Sequence, residues 1–433
     1  MLDIQIRNVQ LSDGTITNID VSGDSIVSVQ PEAKDARKVI EGSGLIALSG
    51  FVDLHTHLRE PGAESSEDVL SASRAAAKGG YTAIHAMANT NPVADNPVIV
   101  EHVAQLGKKA GYVLVQPIGA VTVGLAGEQL AELGLMNKSR AKVTVFSDDG
   151  KCVSDALVMR RALEYVAGFG GVIAQHAQEP RLSKDAQMNE GAQSIQLGLT
   201  GWPSVAESSI IARDALLAKA TNSRLHICHV STKESVAVIR WAKEQGIKIT
   251  AEVTPHHLLL TDDLVASYNP VFKVNPPLRT EEDVMALREA VADGTIDIIA
   301  TDHAPHAAEL KEGTWNEVAF GMIGLETAAA IVYTTLVKTG LIDWPRFEEI
   351  MSTKPAQIGS LDTQGQIIAV GNKANIVLFN PAIEHIVQSQ FESKSSNSPF
   401  VGMSLAGQVV GTIFNGVSTV ENGKVQKLAG LDA

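Results

Sequence analysis

Little in this chain marks it for an oxidising compartment, a membrane or nucleic acid. Two cysteines, Cys152 and Cys228, stand among 433 residues without a CxxC spacing; this excludes a disulfide framework and best fits a reducing cytoplasm. Basic residues are the minority: 35 Lys and Arg face 49 Asp and Glu, a formal charge of −14. That balance disfavours nucleic acid and anionic membrane as partners, though it leaves room for a local basic site for a small anion. No run approaches the ~18 consecutive apolar residues of a membrane span. The opening MLDIQIRNVQ carries Asp3 and no apolar core segment, so it does not read as a secretion signal, and a cytoplasmic location is expected. The rest is ordinary for a globular protein, 45% hydrophobic and 19% charged, and long enough for one large domain with an appendage.

The hydrophobic pattern changes twice along the chain. DIQIRNVQL and NIDVSGDSIVSVQ alternate and are broken by DG and SGD turns, as in a small antiparallel sheet; GQIIAVG, ANIVLFN and QVVGTIFNGVSTVENGKVQ look similar. Each end alone has too few strands for a stable core, so residues 1–50 and 365–433 are expected to pair into one small β-sandwich domain. Between them, over 51–364, strands and helices alternate. The strand candidates are LIALSGFVDLHTH, YTAIHAMA, YVLVQPIGAV, AKVTVFSDD, GGVIAQHA, RLHICHVS, IKITAEVTPHHLLL and IDIIATDHA. SSEDVLSASRAAAKGG opens with serine cap candidates and ends at Gly79-Gly80; STKESVAVIRWAKEQG has capping-box spacing from Ser231 to Glu234; TEEDVMALREAVADG begins and ends similarly. Eight such units favour an α/β fold of the closed (β/α)8 TIM-barrel type over an open doubly wound sheet, and no Gly-rich dinucleotide fingerprint follows the first strand.

Histidines and aspartates fall where such barrels keep their chemistry, at the C-terminal ends of strands. His55 and His57 are two residues apart, so the period of a strand turns both to one side, within reach of one ion. His176 and His229 each end a very apolar strand. Singly, either would read as a satisfied core histidine; at equivalent ends of neighbouring strands, facing the HxH, they point to a shared metal site. Asp302 ends the eighth strand, where a carboxylate is costly unless paired or metal-bound. Asp148 and Asp149 end the fourth. Adjacent strand residues face opposite sides, so one of the two can reach the barrel mouth and bridge two ions; the residues alone leave that choice open. Cys228, beside His229, is expected to face the other way and pack. His256 and His257 fit a site lining or an ordinary loop equally, and His85, His102, His226, His303 and His385 read as structural. Arg59, two residues past His57, can clamp a carboxylate bidentately. The polar stretch 305–320 fits a mobile lid or an inert surface loop.

These residues and their order resemble the amidohydrolase superfamily, and within it the dihydroorotase family of the longer bacterial type. DLHTHLREPG at 53–62, MANTNP at 87–92, FSDDG at 146–150, KVNPPLR at 273–279, ATDHAPH at 300–306 and FGMIGLET at 320–327 each match a family motif in the expected order. The resemblance spans nearly the whole chain. It implies the zinc-dependent, reversible cyclisation of N-carbamoyl-L-aspartate to L-dihydroorotate in de novo pyrimidine (UMP) biosynthesis. It implies one or two Zn2+ per subunit, with His55, His57 and Asp302 on the more buried ion and His176 and His229 on the second. Long-type members use an aspartate where many amidohydrolases use a carbamylated lysine to bridge the pair, and the 27-residue spacing to His176 selects Asp149. Lys142 does not compete, being roughly 23 Å away along an extended strand. By the same resemblance Asn89 and His306 join Arg59 on the substrate carboxylate, while Asn275 and the backbone at Phe320 and Gly321 read the ring amide edges. Two departures stand out: Ala88 where proline is usual, and AQEP after His176 in place of an acidic pair.

An unactivated cyclic amide needs a strong nucleophile, and a metal ion supplies one by lowering the pKa of bound water from 15.7 to about 7. Asp302 is the expected general acid and base, taking the proton of the nucleophile and passing it to the departing ring nitrogen. Ring closure consumes a proton, so lower pH favours it. Two other readings compete. Another cyclic amidase, a hydantoinase or allantoinase, is disfavoured by the bridging aspartate, HLREPG and NPPLR. A non-catalytic scaffold of aspartate transcarbamoylase is disfavoured because every ligand is kept. A homodimer is expected by analogy, and docking to aspartate transcarbamoylase remains open for an active enzyme.

Overall fold

In the computed structural model, which describes residues 1–428, eight parallel strands close into a ring. β1 (Phe51–Thr56), β2 (Tyr81–Ala86) and β3 (Leu114–Pro117) form one run; β4 (Val145–Phe146), β5 (Val172–Gln175), β6 (Arg224–Ile227), β7 (Ile249–Val253) and β8 (Ile298–Ile299) form the other. Gly119 bridges to Phe146 and Thr56 to His303, which joins the runs at both seams. A helix follows each strand: α1 (Val69–Lys78), α2 (Pro97–Ala110), α3 (Leu133–Lys138), α4 (Ala156–Ala167), α5 (Val205–Thr221), α6 (Lys233–Glu244), α7 (Glu281–Asp293) and α8 (Ala328–Val332). Their apolar stripes pack on the outside of the ring. In α6, for example, Val236, Ile239 and Ala242 recur at helical spacing, are buried, and belong to the main core with Ile227 and Ile249 of the strands beneath. Each large aliphatic side chain so buried contributes about 1.5–3 kcal/mol.

The chain ends meet in one nine-stranded sheet. Ile46–Ser49 pairs with Leu2–Leu11 in parallel on one side and antiparallel with Ile376–Ile386 on the other, so it joins the amino-terminal strands to the carboxy-terminal ones. Its core is separate from that of the barrel and includes Ile6, Ile19, Val21, Ile376 and Ile413. Residues 429–433, part of the expected small domain, lie outside the described residues.

Local details differ from expectation. LIALSGFVDLHTH is two strands rather than one: Ile46–Ser49 belongs to the terminal sheet, and β1 begins after Gly50. A Cβ at Gly50 would lie 2.3 Å from Thr82 Oγ1, so only glycine lets the chain pass this close to β2. The cap of α1 is Asp68, not a serine, and it forms a reciprocal capping box with Ser71. The cap of α6 is Thr232, one residue after Ser231. Ser231 is diverted: its hydroxyl accepts from Arg279 Nε at 3.1 Å and donates to Glu207. The third helix is as expected: the α7 cap is Thr280 with Asp283 as its capping-box partner, and Gly294 ends the helix with φ 83°.

Candidate metal centre and substrate pocket

His55 and His57 leave β1, Asp149 lies three residues past β4, His176 follows β5, His229 lies two past β6 and Asp302 three past β8. All six side chains converge at one mouth of the barrel, and each residue is at most 6% exposed. His57 Nε2 is 3.1 Å and His55 Nε2 3.5 Å from Asp302 Oδ1. Asp149 lies between two pairs of imidazoles. Its Oδ2 is 3.3 Å from His57 Nε2 and 3.4 Å from His55 Nε2, while its Oδ1 is 3.2 Å from both His176 Nδ1 and His229 Nε2. Asp148 points elsewhere: its Oδ1 accepts from the N–H groups of Val121 and Thr122 at 2.8 and 3.0 Å, pinning the loop after β3.

The donor set fits metal ions. Two groups of three, His55–His57–Asp302 and Asp149–His176–His229, each bring their ligand atoms within 4.8 Å of one another. His55 Nε2 is buried without a hydrogen-bond partner, an orphan that points at a missing acceptor of its lone pair. Burial alone would raise the carboxyls of Asp149 and Asp302, yet positive charge on His55 and hydrogen bonds from the surrounding imidazoles hold both well below the usual carboxylate range. Burial would lower His55 and His57, yet the same carboxylates raise them. Four imidazoles around two carboxylates form a donor set that a metal ion fits.

Behind the ligands sits a carboxylate that sequence reasoning missed. Glu252 of β7 takes His55 Nδ1 at 2.6 Å and His226 Nε2 at 3.0 Å, and its Oε1 accepts the His229 N–H at 3.2 Å. Burial would raise it, but charge on His55 and hydrogen bonds from His226 and His55 outweigh that and hold it down to about 2. The signal was one acid inside the apolar run ITAEV. Asp53 accepts from the N–H groups of His55 and Thr301, and so joins β1 to the turn that carries Asp302. His57 Nδ1 meets Asn89 Oδ1 at 2.9 Å, and His176 Nε2 meets Gln178 Oε1 at 2.7 Å. Fixing the outer ring nitrogen in this way sets tautomer and orientation.

Cys228 corrects an expectation. It packs in the barrel interior with Met87, Ile118 and Val145, but its Sγ also lies within 4.8 Å of the ligand atoms of His55 and Asp149. Strand alternation fails here because His229 has φ 32°. His256 and His257 are both buried; His257 Nδ1 bonds to Thr254 Oγ1 at 2.7 Å, and His256 Nε2 has no partner. His226 and His303 make protein hydrogen bonds, to Glu252 and Glu67 respectively.

Next to the cluster lies a cavity of about 260 Å³, lined by His57, Asp149, His176 and Asp302 on one side and by Arg59, Asn89, Asn275, His306, Phe320 and Gly321 on the other. Arg59, at φ 62°, donates from Nε to the Pro305 carbonyl at 3.0 Å, which orients the guanidinium. His306 Nε2 donates to the Phe320 carbonyl at 2.7 Å. Burial, then the charges of Arg59 and Lys311, push His306 down to about 3, so it is a neutral donor and acceptor. Asn275 Nδ2 donates to Gln178 Oε1 at 3.2 Å, and its Oδ1 is buried without a partner.

A closed (β/α)8 barrel with strand-end His and Asp ligands, joined to a sheet from both chain ends, defines the metal-dependent amidohydrolase class. The Dihydro-orotase-like family profile matches residues 44–235. The dihydroorotase of Streptomyces coelicolor is 57% identical over 97% of this chain and 99% of its own length. That of Mycobacterium tuberculosis is 50% identical over 98% of this chain and all of its own. The chain belongs to the dihydroorotase family. Among solved structures, L-hydantoinase (dihydropyrimidinase) from Arthrobacter aurescens superposes with a TM-score of 0.88 at 26% identity, covering 99% of this chain and 98% of that one. Among the described residues no helix is long and apolar enough to cross a membrane.

Proposed function

We propose that this chain is a zinc-dependent dihydroorotase, converting N-carbamoyl-L-aspartate and L-dihydroorotate into one another as a step of pyrimidine biosynthesis in the cytoplasm. The observation that carries this reading is the bipartite pocket: a six-ligand His/Asp nest faces a wall holding one guanidinium and an unpartnered amide oxygen. His55, His57 and Asp302 would hold one zinc, His176 and His229 a second, with Asp149 between them; one or two ions per subunit are compatible with this set. Bound there, zinc supplies an activated water and a polarised carbonyl at neutral pH.

The chain's own residues do the rest. Arg59, with Asn89 and His306, holds the substrate carboxylate, since a guanidinium fork matches its two oxygens. Asn275 Oδ1 accepts a ring N–H, and the Phe320–Gly321 backbone meets the other amide edge. Asp302 takes a proton from the attacking water as the C–O bond forms. It then delivers that proton to the ring nitrogen as the C–N bond breaks. Arg59 and the pocket wall exclude uncharged rings by leaving the guanidinium unpaired. The same reading divides the chain into a β domain of 1–50 and 365–433 and a catalytic barrel of 51–364. It also takes a homodimer as the working unit; sizing the protein alone and mixed with aspartate transcarbamoylase tests that and any docking.

Metal analysis with a dihydroorotate assay is the direct test. Purified protein is expected to carry one or two zinc ions per chain, to lose turnover on chelation and to regain it on zinc addition. Metal-loaded protein inert toward both dihydroorotate and carbamoyl-aspartate would contradict the proposal.

A further inference from the structure

The pocket wall away from the metal nest is held by two lysines that have no carboxylate partner among the described residues. Lys273, 1% exposed, donates from Nζ to the carbonyls of Trp315 at 2.6 Å, Val318 at 2.9 Å and Asn316 at 3.5 Å. Lys311 donates from Nζ to the carbonyls of Ala319 at 2.8 Å, Pro270 at 3.0 Å and Lys273 at 3.1 Å. The bonds are reciprocal. Lys273 reaches from the 270–279 segment into the 307–320 strap, and Lys311 reaches back from the strap. The Gly321 N–H also donates to the Lys273 carbonyl at 2.9 Å.

An ammonium has three donors and no acceptor, so three carbonyls saturate it. Buried lysine without an acid beside it is nonetheless rare. Burial pushes Lys273 down to about 8 and, together with the charge of Lys273, pushes Lys311 down to about 7. Both lysines lie outside β1–β8 and α1–α8. What they fix is the pocket. Asn275 is two residues beyond Lys273, and Phe320 directly follows the clamped carbonyls of Val318 and Ala319. The Lys273 ammonium also lies 4.3 Å from the centroid of the Phe320 ring.

We propose that Lys273 and Lys311 are positioning residues for substrate binding: their reciprocal carbonyl clamp sets the gap between Asn275 and the Phe320–Gly321 backbone, and so the fit of the cyclic amide held there. The identity of that amide rests on the dihydroorotase reading; the clamp itself does not.

The test is Lys311→Met, read in two ways: amide hydrogen exchange over 307–321 without substrate, and KM and kcat for dihydroorotate. Exchange in the strap is expected to quicken about 10-fold, and KM to rise about 10-fold with kcat within about threefold, the signature of lost uniform binding. Lys311→Arg keeps charge and donors and is expected to restore both readouts. Should the Met variant not fold, Lys311→Gln serves, with about a threefold rise in KM expected. Unchanged exchange with unchanged KM overturns the proposal, as does faster exchange with an unmoved KM. A parent enzyme inert toward dihydroorotate sinks the functional reading instead, and the exchange result still stands or falls alone.

Discussion

His55, His57, His176 and His229 are carried at or just past strand ends and buttressed by buried acids and amides, whereas Asn275, Phe320 and Gly321 are carried on loops and buttressed by lysines that grip backbone carbonyls. The first region is fixed by the parallel pairing of the barrel, which sets each ligand's height and direction. The second is fixed by a handful of side chain–backbone bonds between segments some forty residues apart, such as Lys273 to Trp315. On the proposed reading, chemistry common to a whole class sits on the rigid half, and recognition of one substrate sits on the loop half.

Breaking the rigid half should have the larger consequences. Asp302→Asn keeps the shape of the side chain but loses the proton acceptor, so kcat is expected to fall by about 10²-fold or more with the thermal midpoint little changed; near-normal turnover would remove Asp302 from the chemistry. Glu252→Gln replaces none of the six proposed ligands, yet it removes the charge behind His55. Metal affinity, measured by competition with a chelator, is expected to weaken about 10- to 100-fold. Metal retention equal to the parent would show that His55 does not depend on its buried acid. On the loop half, Arg59→Ala should raise KM for dihydroorotate about 10-fold or more, from the loss of a charged hydrogen bond worth about 1.5–3 kcal/mol. Uncharged cyclic amides should be turned over no worse and should gain relative to dihydroorotate, since the unpaired guanidinium is gone; an equal loss on them would mean that Arg59 is not a carboxylate clamp.

The same division explains what could be read from sequence. The barrel and its strand-end histidines follow from alternation and spacing, because parallel strands leave few ways to arrange them. Where alternation breaks, reading failed: Cys228 was expected to face away from the site and does pack inside the barrel, but its sulfur lies near His55 and Asp149, and the neighbouring His229, at φ 32°, does not follow strand geometry. Strand geometry alone left Asp148 and Asp149 open, and only the family resemblance chose Asp149; in the structure the N–H groups of Val121 and Thr122 take Asp148 away from the cluster. Serines were expected to cap two helices that Asp68 and Thr232 cap instead; at the second, Ser231 is engaged by Glu207 and Arg279 from distant segments. Gly50 hid the passage from the terminal sheet to the barrel inside one apolar run. Lys273 and Lys311 gave no signal, because a carbonyl acceptor has no side-chain identity to read.

One measurement bears most directly on the central claim that a general hydrolytic nest has been paired with an anion-reading wall. The same zinc-loaded preparation should be assayed on dihydroorotate, hydantoin and allantoin. The expected result is a kcat/KM for dihydroorotate at least about 10²-fold above either uncharged ring. Faster turnover of hydantoin or allantoin would contradict the account.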